Sequence, residues 1–486
     1  MTPLALVLVR RRHATDPPMR PRRAFALGLL AGTVYFAGTL YWLVETMTTF
    51  GGLATSVAVL AASLLVAYLS LFPAVCALVL ARLARAIGPS AAFMAAPVWV
   101  ATELGRQYVW DGFPWALLGY SQVTWLPIAQ VASVTGVYGL SALLALTSGA
   151  AAYVAVERGR RRWMLAGITA AGVACCAAWG QWRLSHSPLL GAGDPVRVAV
   201  LQGNIAQEDK WNPALANAIT NRYLSMTKEA LASGATFIIW PESATPFYFE
   251  HDLVRGAAIR RLAVEGNATL LIGSDQIEPV RAQEGRSRPA QRLYNAAFLV
   301  RPDGRVGDVY RKMHLVPFGE YVPAQRLLFF VAPIVEAVSN FVPGQEAVLL
   351  PVGDHKASTA ICYEVIFASL MRQFIVNGSE LLTTITNDAW YGWSSAAYQH
   401  WEQASMRAIE GGRYLARAAN TGISGFVDPY GRVIEKSDLF EPALLVADLR
   451  FLKHRTIYSR TGDLVAWLSL ALTVAALLAT RRSRLE

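Results

Sequence analysis

The sequence predicts a multi-pass α-helical membrane bundle that carries a layered α/β domain on its outer side. Three observations predict it. Of 486 residues, 54% are hydrophobic and only 16% charged, where an ordinary soluble protein has about 25% charged residues. Six apolar runs each approach the roughly 20 residues that a bilayer-spanning helix needs. Between the fifth run and the sixth, residues 194–452 hold no such run and read as mixed strands and helices. This composition excludes intrinsic disorder, a disulfide scaffold and a collagen-like repeat.

The runs are residues 24–45, 53–81, 91–109, 128–156, 163–182 and 464–480. Residues 1–190 are therefore read as the N-terminal membrane helices, 194–452 as the outer domain and 463–482 as the C-terminal membrane helix. The opening MTPLALVLV is apolar but too short to span. A basic stretch follows it rather than precedes it, which does not fit a secretory signal.

Arginine placement orients the spans. One set of segments carries Arg10, Arg11, Arg12, Arg20, Arg22 and Arg23; Arg82 and Arg85; Arg158, Arg160, Arg161 and Arg162; and Arg481, Arg482 and Arg484. The opposite connections, 46–52 and 106–127, carry Arg106 alone. The basic side is cytoplasmic by the positive-inside rule, so residues 194–452 lie outside. The net charge of +10 is then a topology signal rather than a nucleic-acid surface. Of four cysteines, Cys76, Cys175 and Cys176 fall in the apolar runs and Cys362 in the outer block. Cys362 has no disulfide partner within its domain, so it is either a buried filler or a working thiol.

Within the outer block, Val196–Leu201 reads as a buried strand, 213–232 as a helix, and Thr236–Trp240 as a strand stopped by Pro241. Thr269–Ile272 is a further strand. Asn295–Val300 and Arg305–Tyr310 form a hairpin around Pro302-Asp303-Gly304. Thr359–Cys362 and Leu381–Ile385 are buried strands, and 399–411 is a helix. Gly425–Val427 and Arg432–Ile434 make a second hairpin. The stretch 278–292 reads as a polar loop.

Three strand-to-loop transitions present reactive side chains: Glu242 in WPES, Lys312 and Glu320 in RKMHLVPFGEYVP, and Cys362 in ICYE. Together they make chemical sense. A thiolate is a nucleophile whose pKa a nearby cation lowers. A carboxylate takes the thiol proton and returns it. A lysine stabilises an oxyanion. Taken singly, each has a bland reading: a turn cap for Glu242, solvated surface residues for Lys312 and Glu320, a core filler for Cys362. His314 reads as structural, and no ligand-spaced cluster points to a metal.

Glu242, Lys312 and Cys362 in this order and context resemble the Glu-Lys-Cys triad of the nitrilase (carbon–nitrogen hydrolase) superfamily. The flanking spans narrow the resemblance to the bacterial apolipoprotein N-acyltransferases. AYLSLFPA at 67–74, residues 96–122, VLQGNIAQEDKW at 200–211, ITNDAWYG at 385–392 and ANTGISG at 419–425 are similar to that family. The resemblance implies a membrane helix bundle carrying an αββα nitrilase-like domain on the periplasmic face of the inner membrane. It implies transfer of an acyl chain from a phospholipid donor, through a cysteine thioester, to the α-amino group of the diacylglyceryl cysteine of an apolipoprotein. Cys362 would be the nucleophile, Glu242 the general base and Lys312 the oxyanion stabiliser. Glu320, Tyr363, Glu364 and Trp211 would be supporting residues of the active-site loops, and Phe113-Pro114-Trp115 would line the lipid entrance. The family usually begins with one or two more hydrophobic segments; this start is either truncated or mis-assigned, or this member has lost them.

No cofactor, metal or nucleic acid is expected, and the protein is expected to be a monomer. Outside the cytoplasm, where no ATP activates a fatty acid, a phospholipid ester is the available donor. Covalent catalysis splits the transfer into two steps. Apolar cover from Trp115, Trp211 and Trp390 is expected to keep water off the thioester. The alternative is a membrane-tethered amidase or nitrilase hydrolysing a C–N bond. A transporter fits less well, because the notable charges in the runs, Glu103 and Arg106, sit towards one end of their segment.

Overall fold

Apolar sequence becomes helix throughout the first part of the chain. The computed structural model describes residues 1–9, 19–279, 291–321 and 341–482. Arg10, Arg11, Arg12 and Arg484, and residues 280–290 of the polar loop, lie outside the described residues. The chain divides into two compact units. The first comprises residues 1–44, 54–187 and 456–486; the second comprises 45–53 and 188–455.

The helices up to the outer block are α1 (Thr2–Val9), α2 (Pro21–Thr39), α3 (Trp42–Thr49), α4 (Thr55–Ile87), α5 (Ala95–Tyr108), α6 (Leu126–Ala129), α7 (Ala132–Val156) and α8 (Arg160–His186). Among the described residues, 4 helices are long and apolar enough to cross a membrane, or up to 5 if a bent pair is one span. Six runs were expected, and two local features account for the difference. The first run breaks after Thr39, where α2 and α3 meet at 52°. The second and third runs join through a 3-10 turn, Gly88–Met94, into one helical stretch of 54 residues. Alone, α5 has 14 residues, a rise of only about 21 Å. Small residues bring α2 and α4 together. A Cβ on Gly28 would stand 2.5 Å from the Pro73 carbonyl oxygen, and one on Gly32 2.9 Å from Ser70 Cα. This small-xxx-small pairing is what lets apolar helices approach closely in a lipid environment.

The second unit is an αββα sandwich. Its elements are β1 (Asp194–Gln202), α9 (Ala216–Ala232), β2 (Phe237–Ile239), α10 (Leu253–Glu265), β3 (Thr269–Pro279), β4 (Gln291–Val300), β5 (Val306–Arg311), β6 (Leu350–Val352), β7 (His355–Ile361), α11 (Ala368–Asn377), β8 (Leu381–Thr386), α12 (Ser395–Gly411), β9 (Leu415–Ala419), β10 (Gly425–Val427), β11 (Val433–Lys436) and β12 (Ala443–Phe451). After it, the chain continues into α13 (Ile457–Thr461) and α14 (Leu464–Arg482) of the first unit. One sheet has the order β12-β1-β2-β3-β4-β5, the other β11-β10-β9-β8-β7-β6. In the first sheet β1, β2 and β3 are parallel; in the second, β7, β8 and β9. The stripe Ile219, Tyr223, Met226 and Ala230 of α9 packs with Ile259 and Ala263 of α10 against Ile238, Leu270, Ile272 and Phe298. Burying such side chains is worth about 1.5–3 kcal/mol each.

Most expected strands appear, with shifted ends. β3 runs on to Pro279 because its polar second half pairs with β4 down to Gln291. β7 stops at Ile361, which leaves Cys362 outside the strand. β6, β9, β12, α10 and α11 were not expected.

Candidate active site

The reacting groups arrive from strand ends. β2 stops at Ile239, and Trp240-Pro241-Glu242-Ser243 turns off the sheet. Pro241 has no N–H to continue the ladder, and Ser243 is left-handed with φ 42°. The turn lies directly on β3 at Gly273. A Cβ there would stand 2.1 Å from the Pro241 carbonyl oxygen and 2.8 Å from Glu242 Cα. Glycine alone fits.

Glu242 is 6% exposed. Its Oε1 accepts from Asn295 Nδ2 at 2.7 Å and from Lys312 Nζ at 3.5 Å. Its Oε2 accepts from the Asn387 backbone N–H at 2.7 Å. Lys312 follows β5 and is tied to β4 by its own N–H, which donates to the Asn295 carbonyl at 2.9 Å. Its Nζ donates to Glu320 Oε1 at 2.8 Å. Glu320 Oε2 accepts from Val316 N at 2.8 Å, which closes the loop around the lysine. Asn295 Nδ2 also donates to Glu320 Oε1 at 3.0 Å, while its buried Oδ1 has no hydrogen-bond partner. The amide is thus held by its two N–H groups, one on each carboxylate.

Cys362 is the first residue after β7 and adopts φ 52°. Parallel pairing sets Ile361 opposite Ile385, so the cysteine emerges beside Thr386. His400 Nε2 lies 3.1 Å from the Cys362 carbonyl oxygen, placed to donate to it. Behind it stands a fully buried group: Asp388 accepts from Arg417 Nη2 at 2.8 Å and from Thr386 Oγ1 at 2.7 Å. Arg417, with His400, holds the Asp388 carboxyl well below the usual range.

Electrostatics decides which groups are charged. Burial pushes the Cys362 thiol up to about 12, the Glu242 charge adds to the shift, and Lys312 opposes it. The resting nucleophile is therefore a thiol and needs a base. The Glu320 and Glu242 carboxylates overcome burial and keep Lys312 firmly protonated. Burial and the Lys312 charge bring His314 down to about 4, so it is neutral. Its ring meets Phe367 edge-on at 4.3 Å, a structural contact. Among the described residues, no three His, Cys, Asp or Glu side chains converge as metal ligands.

Glu242, Lys312, Glu320 and Cys362 come together. Glu364 takes a different place. It is wholly buried and accepts from Tyr310 Oη, the Met313, His314 and Ile361 N–H groups at 2.6–3.1 Å. It ties the loop after Lys312 to the strand before Cys362. Tyr363 is buried against Phe367 at 5.2 Å. Trp211 is 43% exposed and faces Tyr248 at 6.0 Å. Trp390 is 38% exposed, with Phe50 edge-on at 5.6 Å and its carbonyl accepting from Thr46 Oγ1. Trp115 is packed within the helical unit, between Trp42 and Phe113, and is 1% exposed. Sequence reading passed over Asn295, Asn387, Gly273 and Lys210. Of these, Lys210 and Asn387 lie in stretches already singled out, KW and ITND; Asn295 and Gly273 carry no local signal.

The chain is similar to known proteins over most of its length. Residues 197–455 match the Carbon-nitrogen hydrolase family, and residues 1–150 match the Apolipoprotein N-acyltransferase N-terminal domain. The chain is 39% identical to a curated apolipoprotein N-acyltransferase of Geobacter metallireducens, covering 96% of this chain and 89% of the relative. It is 34% identical to one of Methylococcus capsulatus, covering 95% and 88%. Among solved structures, an amidase of the nitrilase superfamily from Nesterenkonia is similar at 21% identity and a TM-score of 0.41, covering 56% of this chain and 96% of that one.

Proposed function

This chain belongs to the apolipoprotein N-acyltransferases, and from that premise we propose how its residues carry the reaction. It is an acyltransferase of lipoprotein maturation, acting on lipid and lipoprotein substrates. The observation that carries the residue assignment is the buried cluster in which Lys312 Nζ meets Glu320 at 2.8 Å and Glu242 at 3.5 Å, with the Glu242 and Lys312 charges acting on the Cys362 thiol.

Cys362 Sγ attacks the ester carbonyl of a phospholipid while Glu242 takes the thiol proton. Lys312 faces the oxyanion of the tetrahedral intermediate. Collapse forms the Cys362 thioester, and the proton on Glu242 goes to the departing lysophospholipid oxygen. The α-amino group of the diacylglyceryl cysteine of an apolipoprotein then attacks the thioester. Glu242 takes its proton, Lys312 again meets the oxyanion, and the proton returns to the sulfur as the amide leaves. Glu320 and Asn295 keep the lysine and the base in register. Trp211 and Trp390 are exposed enough to meet an acyl chain, and an apolar cover slows hydrolysis of the thioester.

The membrane arrangement follows from charge. Residues 1–190 and 463–482 form the bundle in the inner membrane, with the arginine-rich segments cytoplasmic and residues 194–452 on the periplasmic side. α8 starts at Arg160 and α14 ends at Arg482, so a block carried between their other ends faces away from the basic side.

The test uses the full chain in detergent with labelled phospholipid and a diacylated lipopeptide. Wild type should form a hydroxylamine-sensitive adduct that passes its label to the lipopeptide, and Cys362→Ala should form none. An adduct that survives Cys362→Ala would sink the assignment. Release of free fatty acid in place of transfer would favour the amidase-type reading.

A further inference from the structure

A second lysine lies in the same cluster. Lys210 belongs to the loop after β1 and is 3% exposed. Its Nζ donates to the Glu242 main-chain carbonyl at 3.1 Å, the hydrogen bond it makes among the described residues. An ammonium has three protons to place, and burial without an ion pair is expensive. What compensates it is charge. Burial draws its pKa down, and the Glu242 and Asp275 carboxylates oppose this and favour its protonated form.

The carboxylates need such a cation. Glu242, Glu320 and Asp275 act on one another in one cluster, and Lys312 sets only one positive charge against them. Asp275 is 7% exposed on β3, hydrogen-bonded by Ser243 Oγ at 2.8 Å. Burial and the Glu242 and Glu320 charges push its carboxyl up to about 6, while Ser243 and Lys210 pull it down. Asp388, further back, is matched by Arg417 and His400.

We propose that Lys210 is a positioning residue of the acyl transfer: it fixes the Glu242 turn by its main-chain carbonyl and sets a second positive charge, besides that of Lys312, against the three carboxylates Glu242, Glu320 and Asp275 beside the Cys362 thiol. The proposal rests on the base and nucleophile roles given above to Glu242 and Cys362. Lys312 works on the carboxylate side of Glu242 and Lys210 on its backbone side. Loss of the second charge raises the proton affinity of the whole cluster. The cluster as a whole then reaches its ionised form only at higher pH.

The experiment measures the rate of acyl-enzyme formation from labelled phospholipid between pH 5.5 and 9.5, with the full chain in detergent. In Lys210→Met the limb that rises with pH should move up by about one unit, which makes acylation about tenfold slower on the part of the limb well below its midpoint. Lys210→Arg, which keeps the charge, should stay near the wild-type limb. A Lys210→Met rate lowered equally at every pH, or unchanged, would overturn the proposal, because a packing role lowers the rate without moving the limb. If Lys210→Met does not fold, Asp275→Asn decides: it removes a negative charge from the same cluster and should move the limb down, and an unmoved limb overturns the proposal. Cys362→Ala separates the two levels. An adduct that survives it removes the catalytic assignment itself; a Cys362-dependent adduct with an unmoved limb removes the Lys210 role alone.

Discussion

Asn295→Asp tests the cluster with a change of one heavy atom. The Asn295 amide is 4% exposed and donates to Glu242 Oε1 at 2.7 Å and Glu320 Oε1 at 3.0 Å. Aspartate keeps the volume and replaces both donated protons with a third carboxylate oxygen. Hydrogen bonds to charged groups contribute about 1.5–3 kcal/mol each, so losing two costs about 3–6 kcal/mol. Repulsion adds to this, within a limit. A carboxyl that is too costly to ionise takes up a proton instead, at about 1.4 kcal/mol per pH unit above an ordinary value near 3.9. At pH 8 the repulsion is therefore capped at about 5.5 kcal/mol, and at pH 5 at about 1.5 kcal/mol. The folded-state pKa is raised, so the variant loses stability as pH rises and regains up to about 4 kcal/mol between pH 8 and pH 5. For a unit of this size, each kcal/mol moves the unfolding midpoint by about 2–4 °C. Thermal unfolding in detergent should show the midpoint far below wild type at pH 8, with the gap narrowing by about 8–16 °C at pH 5. Asn295→Ala, which adds no charge, should show a gap independent of pH. A pH-independent gap for Asn295→Asp, or none, would refute the claim that this amide bridges two ionised carboxylates.

Two further substitutions probe the same turn. Gly273→Ala places a methyl 2.1 Å from the Pro241 carbonyl oxygen; overpacking of this kind costs about 1–3 kcal/mol. Because the strain falls on the Glu242 turn, adduct formation should drop more than thermal stability does; equal losses, or none, would count against the close approach. Asp275, pushed up to about 6 by burial and nearby carboxylates, should cost the fold stability as pH rises from about 4 through 6, by at most about 3 kcal/mol. Asp275→Asn should flatten that slope in pH-dependent unfolding and be the more stable form at pH 7. A slope unchanged by the substitution would show that another group titrates there.

How far the sequence reaches differs from element to element. Val196–Leu201 is apolar but for Arg197, and Leu381–Ile385 is Leu, Leu, Thr, Thr, Ile, with little charge, as strands buried on both faces require, and both are strands. The place of β12 depends on β1, to which it pairs across the whole outer block, while the three residues of β6 pair with the neighbouring β7 through the Gly353-Asp354 turn. In the membrane part, composition marks where apolar helix lies. The number of spans depends on local breaks, at Leu40–Tyr41 and at Gly88–Met94, that apolar content does not show.

For the site, the sequence determined which chemistry is on offer: one thiol in the outer block, a carboxylate behind Trp240-Pro241, a lysine and a second carboxylate eight residues apart. Those signals are local, because strand ends and prolines are written in consecutive residues. Tertiary structure decided which carboxylate does what. Glu320 reaches back to Lys312, whereas Glu364, next but one to the thiol, turns away and binds the backbone of the lysine loop. It also decided that Asn295, Asn387 and Lys210 join the cluster. Asn295 comes from the middle of β4, Asn387 from the end of β8 and Lys210 from the loop after β1, and only the tertiary fold brings them together. Hydrogen bonds and charges act through space at a few ångströms, while sequence records distance along the chain.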